Sequence, residues 1–423
     1  MIRTVIIPCK LNKEICDSLN LASGRIYSGI VSRHWRLLKQ KGLWLKESTL
    51  TRLSDIRPSV QAHAMHAHSI DAAQQGFFKA CTTTRALRKA GIEANFPWRS
   101  KKFRTTIWKN TAIKLVNGVV RLSNGQGNQR IEIALPNNLS NILKVLEVRL
   151  VFDKKSRKYN WHLVVENGQQ SKAAPGNNTV SVDLGEIHPA VIGDEHSATI
   201  ITCRERRHEQ QGHAKRLAKL SADLSKKKKG SRRYKKLVRA KSRMKAKHDR
   251  VAHDMEHKVS RSIVDEALAR GASTIVLGDI KDIADGVDLG KKTNQKISSW
   301  NHGQIRKFVE YKAQAEGIAV VLQDERYTSQ TCPACGNRHK PKGRNYRCPS
   351  CGFQSHRDVV GQVNILSAYK FGEPGKIPAP TIIKHRIPYN IRVMRRRPDT
   401  GQVVIPPVAQ TNWLAAKQLS LFV

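Results

Sequence analysis

The spacing of apolar residues along the chain changes period several times. The opening MIRTVIIPCKL (residues 1–11) alternates as a strand does, and helical patterns follow over Lys13–Lys41 and Ser59–Ala90. From Trp98 to Glu166 the period falls to two. KNTAIKLVNGVVRLS, QRIEIALP, LEVRLVF and YNWHLVVE are separated by Asn-Gly and other turn pairs, which predicts a small antiparallel barrel or sheet. The segment ENGQQSKAAPGNN (166–178) is polar and rich in Gly, Asn and Gln, as a linker is. A second domain is expected to begin near Thr179.

That domain opens with TVSVDLGEIHPAVIGDEHSATIITC, a strand ending at Asp183 followed by a Gly-containing turn and two further strands in a meander. A long helical pattern runs from Arg204 to Arg270, interrupted near Gly230. The helix SRSIVDEALARG then leads into the strand STIVLGDI, ending near Asp279, and a helix at Ser299–Ala315 leads into GIAVVLQ. Two successive helix-to-strand units imply parallel neighbours, the order of a ribonuclease H type of fold. In HRDVVGQVNILSAY, the spacing of Val359, Val363 and Leu366 suits a helix docked on that sheet. Residues 371–423 are basic and Pro-rich with little periodicity, and are expected to be flexible or RNA-bound.

Charge narrows the partners. The 423 residues carry 76 Lys+Arg against 33 Asp+Glu, a formal net charge of +43, which a polyanion neutralises. The chain shows neither an apolar run of spanning length nor a signal-peptide pattern, so nucleic acid is expected and a membrane is not. Fourteen of residues 226–250 are Lys or Arg with almost no acidic companion. A charge run is often only a solvated face. This one repels itself unless phosphates lie alongside, so Lys226, Lys227, Lys228, Lys229, Arg232, Arg233, Lys235, Lys236, Arg239, Lys241 and Arg243 are candidate backbone contacts of a helical hairpin. Such contacts position a nucleic acid without reading its sequence. Lys101, Lys102 and Arg104, beside Trp98 and Arg99 in FPWRSKKFR, form a second candidate patch.

Two features carry chemistry. Cys332 and Cys335 form one C-x-x-C knuckle, Cys348 and Cys351 a second, and the spacing between them suits a hairpin that gathers four thiolates around structural Zn2+. Two disulfides are the competing reading. The other cysteines, Cys9, Cys16, Cys81 and Cys203, are scattered singly, which fits a reducing, cytosolic setting better. Carboxylates are the second feature: Asp183, the acidic groups following GIAVVLQ, and Asp358 come from distant segments that the fold can bring to one sheet edge. Phosphodiester cleavage needs metal ions clamped by such groups; an aspartate that merely caps a turn is the lesser alternative for Asp183 taken alone. His63, His66 and His68 keep no common helical face and have no acidic or thiol companion, so no ligand role is assigned to them.

The motifs VDLG (182–185), TSQTCPACG (328–336), RCPSCG (347–352) and RDVVGQVNI (357–365) together resemble the TnpB family, transposon-encoded RNA-guided nucleases related to type V CRISPR effectors and Fanzor proteins. The resemblance covers most of the chain. It implies an α/β plus all-β architecture: a wedge β-barrel (1–12 and 91–177) with an inserted helical recognition lobe (13–90), then a RuvC-type nuclease domain (178–327 and 353–370) interrupted by a zinc ribbon (328–352). It further implies a guide RNA from the transposon end, double-stranded target DNA with a short flanking motif, and catalytic Mg2+. The protein is then expected in the bacterial cytoplasm at the nucleoid, as one copy with its RNA.

One position departs from the pattern. Members of the family typically place a catalytic glutamate where this chain has Gly278. Asp279 is adjacent, but neighbouring strand residues point to opposite faces. Glu325 follows the next, parallel strand, within about one strand spacing of 5 Å. The expected triad is therefore Asp183, Glu325 and Asp358, which would also hold the Mg2+, with Asp279 as the alternative. Two other classes remain: a nuclease-inactive RNA-guided binding protein, which Gly278 supports, and an RNA-independent DNA-binding accessory of the transposon.

Overall fold

The structure is a computed structural model that describes residues 2–52, 65–125, 127–139, 142–154, 156–168, 170–280, 288, 290–388, 395–396 and 403–404. His63 and most of the tail beyond residue 388 lie outside the described residues. The chain forms two compact units, Met1–Gln170 and Ser171–Val423.

In the first unit, strand β1 (Ile2–Pro8) is followed by helices α1 (Lys13–Lys41), α2 (Glu47–Arg52) and α3 (Ala67–Lys89), then by strands β2 (Thr106–Lys109), β3 (Ile113–Val116), β4 (Val119–Leu122), β5 (Ile131–Ala134), β6 (Lys144–Asp153) and β7 (Lys158–Glu166). Helix α1 has the bounds the periodicity predicts. Asn12 starts it by accepting the Glu14 N–H at 3.0 Å, and Gly42 ends it with φ +65°. The described strands pair as two antiparallel sheets, β1-β7-β6-β2 and β3-β4-β5. Alternation along β7 buries Tyr159, Trp161, Leu163 and Val165 in one core shared with α1 and α3. Cys9 and Cys16 are not isolated, as their sequence separation suggested. The turn between β1 and α1 folds them together, with sulfurs 3.7 Å apart.

The second unit is built on a six-stranded sheet. Strands β8 (Asn178–Asp183), β9 (Ala190–Gly193) and β10 (Ser197–Ile201) make the expected meander. Helices α4 (Arg204–Ser225) and α5 (Arg232–Ala269) follow, then β11 (Ala272–Asp279), helices α6 (Lys291–Ser298) and α7 (His302–Ala315), β12 (Ala319–Asp324), the hairpin β13 (Asn345–Arg347) and β14 (Gln354–His356), and helix α8 (Arg357–Phe371). With a last strand β15 (Ile382–Arg386), the strand order is β12-β11-β8-β9-β10-β15, and β11 is parallel to both β12 and β8. Val180, Val182, Ile275 and Leu277 pack on one face with Val259, Ile263 and Val264 of α5. The alternate residues face α8: the Ser181 hydroxyl donates to the Gln362 carbonyl at 2.7 Å, and Val191 packs on Val359.

The sixth strand corrects an expectation. Residues 371–388 are not a free tail, because β15 (Ile382–Arg386) pairs parallel with β10 and Arg386 donates to Glu266 at 2.7 Å. Five residues between prolines carry too little periodicity to show this in sequence. Among the described residues, no helix is long and apolar enough to cross a membrane.

Candidate active site

Period-two alternation decides which carboxylates can meet. Val182 and Leu277 are register partners on the α5 face, so Asp183 and Gly278, one residue further along each strand, both face α8. On β12, Val320 and Leu322 pack toward the α5 face, which sends Gln323 and Glu325 to the α8 face as well. Asp279 takes the other parity. Its carboxylate lies 3.2 Å from Arg306 of α7, outside the cleft that the other acids line.

Strand β11 lies between β12 and β8, so Glu325 must cross its end to approach Asp183. Gly278 makes that crossing feasible. A Cβ there would stand 1.7 Å from the Glu325 Oε1 and 2.5 Å from its Cδ, so the glutamate occupies the volume a side chain at 278 would fill. A second glycine does the same on the helix, where a Cβ at Gly361 would lie 2.6 Å from the Asp183 Oδ2. Asp358 completes the group from the first turn of α8, where the free N–H groups of the helix end favour its negative charge.

Asp183, Glu325 and Asp358 line one cleft of about 410 Å³ with Glu186, Thr328, Ser329, Arg344 and Arg357. Burial, then the neighbouring Asp358 charge, pushes the Asp183 carboxyl up to about 7. Burial, then the Asp183 charge, pushes Glu325 up to about 9, and its Oε1 is buried without a hydrogen-bond partner. Like charges this close repel one another, so a cation beside them is stabilising. Arg344, on the turn before β13, supplies such a cation by donating to Asp358 at 2.6 Å. His188 and His356 stand close enough to Asp358 for a shared metal ion. The His356 Nδ1 accepts the Asp358 N–H at 3.2 Å, capping α8. Arg344 and His188 sit in no local pattern that marks them, whereas His356 falls in the His-Arg-Asp run (356–358) that opens α8.

The four cysteines meet beside this cleft in sequence. The Cys332 and Cys351 sulfurs are 3.7 Å apart, those of Cys335 and Cys348 are 3.6 Å apart, and all four form one potential metal site. Asn364 of α8 ties the approach to that site in place: its buried amide donates to the Thr328 and Thr331 carbonyls at 2.7 Å and accepts the Gly375 N–H at 2.9 Å.

The basic candidates divide. Helices α4 and α5 form a hairpin through Gly230, which has φ +84°. Lys226, Lys228, Lys229, Arg232, Arg233, Lys235, Lys236, Arg239 and Arg243 are exposed on it. Lys227 and Lys241 are partly covered, and Lys241 donates to the Ser221 hydroxyl at 3.0 Å. In the first unit Lys101 and Lys102 are exposed, whereas the Arg104 guanidinium is turned inward, 4.8 Å over the Tyr27 ring and donating to the Ala73 carbonyl at 3.2 Å.

Residues 162–284 match a family model described as probable transposase, and residues 302–365 match the Cas12f1-like TNB domain. The TnpB-like protein MJ0751 of Methanocaldococcus jannaschii is 32% identical over 119 residues, covering 28% of this chain and 42% of that protein. The CRISPR-associated endodeoxyribonuclease Cas12f1 of Sulfoacidibacillus thermotolerans is 32% identical over 112 residues, 26% of this chain and 25% of that one. The putative RNA-guided DNA endonuclease InsQ of Escherichia coli K12 is 25% identical over 221 residues, 49% and 54% of the two chains. The chain thus spans a quarter to about half the length of these relatives. In fold, it resembles the protein of a Cas12f1-sgRNA-target DNA complex, with a TM-score of 0.55 at 13% identity, over 84% of this chain and 83% of that one. It also resembles the mini-RNA-guided endonuclease CRISPR-Cas phi3, with a TM-score of 0.53 at 11% identity, over 89% and 94%.

Proposed function

Because the chain belongs to the TnpB/Cas12f-like family, we propose that it is an RNA-guided DNA endonuclease whose second catalytic carboxylate has moved to Glu325. The observation that carries this reading is the Glu325 carboxylate lying in the space left by Gly278, in one cleft with Asp183 and Asp358.

The residues present fit Mg2+. Three carboxylates converge, two have pKa values raised by burial and mutual repulsion, and a buried oxygen of Glu325 has no partner. Asp183, Glu325 and Asp358 would hold the ions. When bound, the ions supply the Lewis acidity that activates water and offsets charge on the scissile phosphate. The chain itself orients and screens. Arg344 and Arg357 line the cleft and would offer guanidinium groups to phosphate oxygens, and the lack of a side chain at Gly361 leaves room for the Asp183 carboxylate close to α8. The cysteine site fits Zn2+, because a tetrahedron of Zn–S bonds near 2.3 Å has edges of about 3.8 Å, close to the sulfur separations here.

In the same reading, the first unit supplies the wedge strands and an inserted recognition lobe, residues 328–352 are the zinc ribbon, and the nuclease domain extends to include β15. The exposed cations of the α4–α5 hairpin, with Lys101 and Lys102, would hold a transposon-derived guide RNA or target backbone. Sequence choice would lie in base pairing and a short flanking motif. Gly278 favours a second reading, an RNA-guided binding protein that does not cut. The test is to isolate the protein with its RNA and challenge it with a plasmid library in Mg2+. Cutting that is lost after ribonuclease treatment supports the endonuclease. Target binding without cutting supports the second reading, and absence of RNA rejects both.

A further inference from the structure

Two residues past Glu325, Tyr327 adopts a left-handed backbone, φ +62°. Among the described residues, the other non-glycine positions with positive φ are Asn117 (φ 49°), in the tight turn between β3 and β4, and Arg157 (φ 58°), in that between β6 and β7. A bulky aromatic in this region is strained where glycine is not, so the backbone gains nothing from a tyrosine here. Nor does the core, since the residue is 43% exposed. Strain of this kind persists where a side chain has work to do.

The surroundings indicate that work. The Arg338 guanidinium carbon lies 4.0 Å from the ring centroid and that of Arg326 lies 5.9 Å away. Glu325, on one side in sequence, and Thr328 and Ser329, on the other, line the carboxylate cleft. An exposed ring backed by a cation, beside a cleft suited to a phosphodiester, matches a nucleobase, which has a π face next to a phosphate. An acidic protein surface would pair with the arginines but leave the ring without a role.

We propose that Tyr327, backed by Arg338, is a stacking platform for one base of the single DNA strand that enters the Asp183, Glu325 and Asp358 cleft. Stacking of this kind tolerates any base, as suits a nuclease whose sequence choice lies elsewhere. The proposal rests on the nuclease reading for its substrate. Its competitor is a purely structural tie, in which the ring and Arg338 fasten the turn after β12 to the cysteine hairpin.

The test uses the RNA-protein complex and single-stranded DNA with 2-aminopurine at successive positions, in magnesium-free buffer, together with melting temperature and, in Mg2+, cleavage rate. The native complex should quench the probe at one position. Tyr327→Gly, which suits the backbone, should keep or raise the melting temperature, abolish that quenching and slow cleavage by about 5- to 150-fold, the range set by loss of one stacked base. Tyr327→Phe should behave as native. Quenching that survives Tyr327→Gly, or is lost in Tyr327→Phe, overturns the platform, as does a lower melting temperature in Tyr327→Gly. Quenching only with an RNA oligonucleotide also overturns it. Because quenching is read without magnesium, a complex that never cuts still reports on the platform, whereas failure of the nuclease reading shows only in the Mg2+ assay.

Discussion

Adding a single methyl group at Gly278 should abolish the proposed cleavage without unfolding the protein. In Gly278→Ala, the new Cβ would fall 1.7 Å from the Glu325 Oε1, 2.5 Å from its Cδ and 2.7 Å from its Cγ. Ordinary contact is about 3.5 Å, so the carboxylate must retreat by about 1.5 Å or more. A misplacement of about 1 Å at a catalytic group costs on the order of 100-fold in rate. Stability should scarcely change. Alanine limits the unfolded chain more than glycine does, and the displaced carboxylate is already disfavoured where it sits by burial and by the Asp183 charge. The assay pairs single-turnover cleavage of a matched target with melting temperature and target affinity. The double variant Gly278→Glu with Glu325→Ala should regain part of the rate by returning a carboxylate to the same space. Native-rate cleavage by Gly278→Ala would refute the claim that Glu325 works from that position.

Three further outcomes follow from the same geometry. Asp183 and Glu325, pushed up to about 7 and about 9, lie above the unfolded carboxylate range near 4. The magnesium-free folded state therefore holds more protons than the unfolded state between these limits. The stability contributed by these two groups is full below about pH 4 and is lost as pH rises toward 9. Urea titrations at pH 6 and 8.5 should show the decline, and Glu325→Gln should flatten it. Cys348→Ser should release bound zinc, measurable by elemental analysis, and lower the melting temperature, since structural zinc contributes on the order of 10 kcal/mol to small domains. Reversing Lys228, Lys229, Arg232 and Arg233 to Glu should weaken RNA retention and reduce the slope of log affinity against log salt by about one for each phosphate no longer neutralised. An unchanged slope would remove the hairpin from the interface.

How far a sequence reveals this structure depends on range. Helix α1 and the two cysteine knuckles are local patterns, legible from periodicity and spacing alone. So is the opposite facing of Gly278 and Asp279, because parity along a strand is fixed by backbone geometry. The approach of Cys9 to Cys16 and the Arg344–Asp358 ion pair depend on how short segments turn back, and the docking of β15 on β10 joins segments far apart in sequence, so no local pattern marks any of the three. Arg104 shows the reverse difficulty. Its basic neighbours read as a surface patch, yet its guanidinium packs on Tyr27 and α3, because a long side chain can turn inward where a ring offers a face.

The central claim, a nuclease centre completed by Glu325, is tested most directly by cleavage of a target plasmid in Mg2+ by native, Glu325→Ala and Asp279→Ala complexes. The native and Asp279→Ala complexes should cut and Glu325→Ala should bind its target without cutting. Cutting by Glu325→Ala, or target binding without cutting by the native complex, would contradict the account.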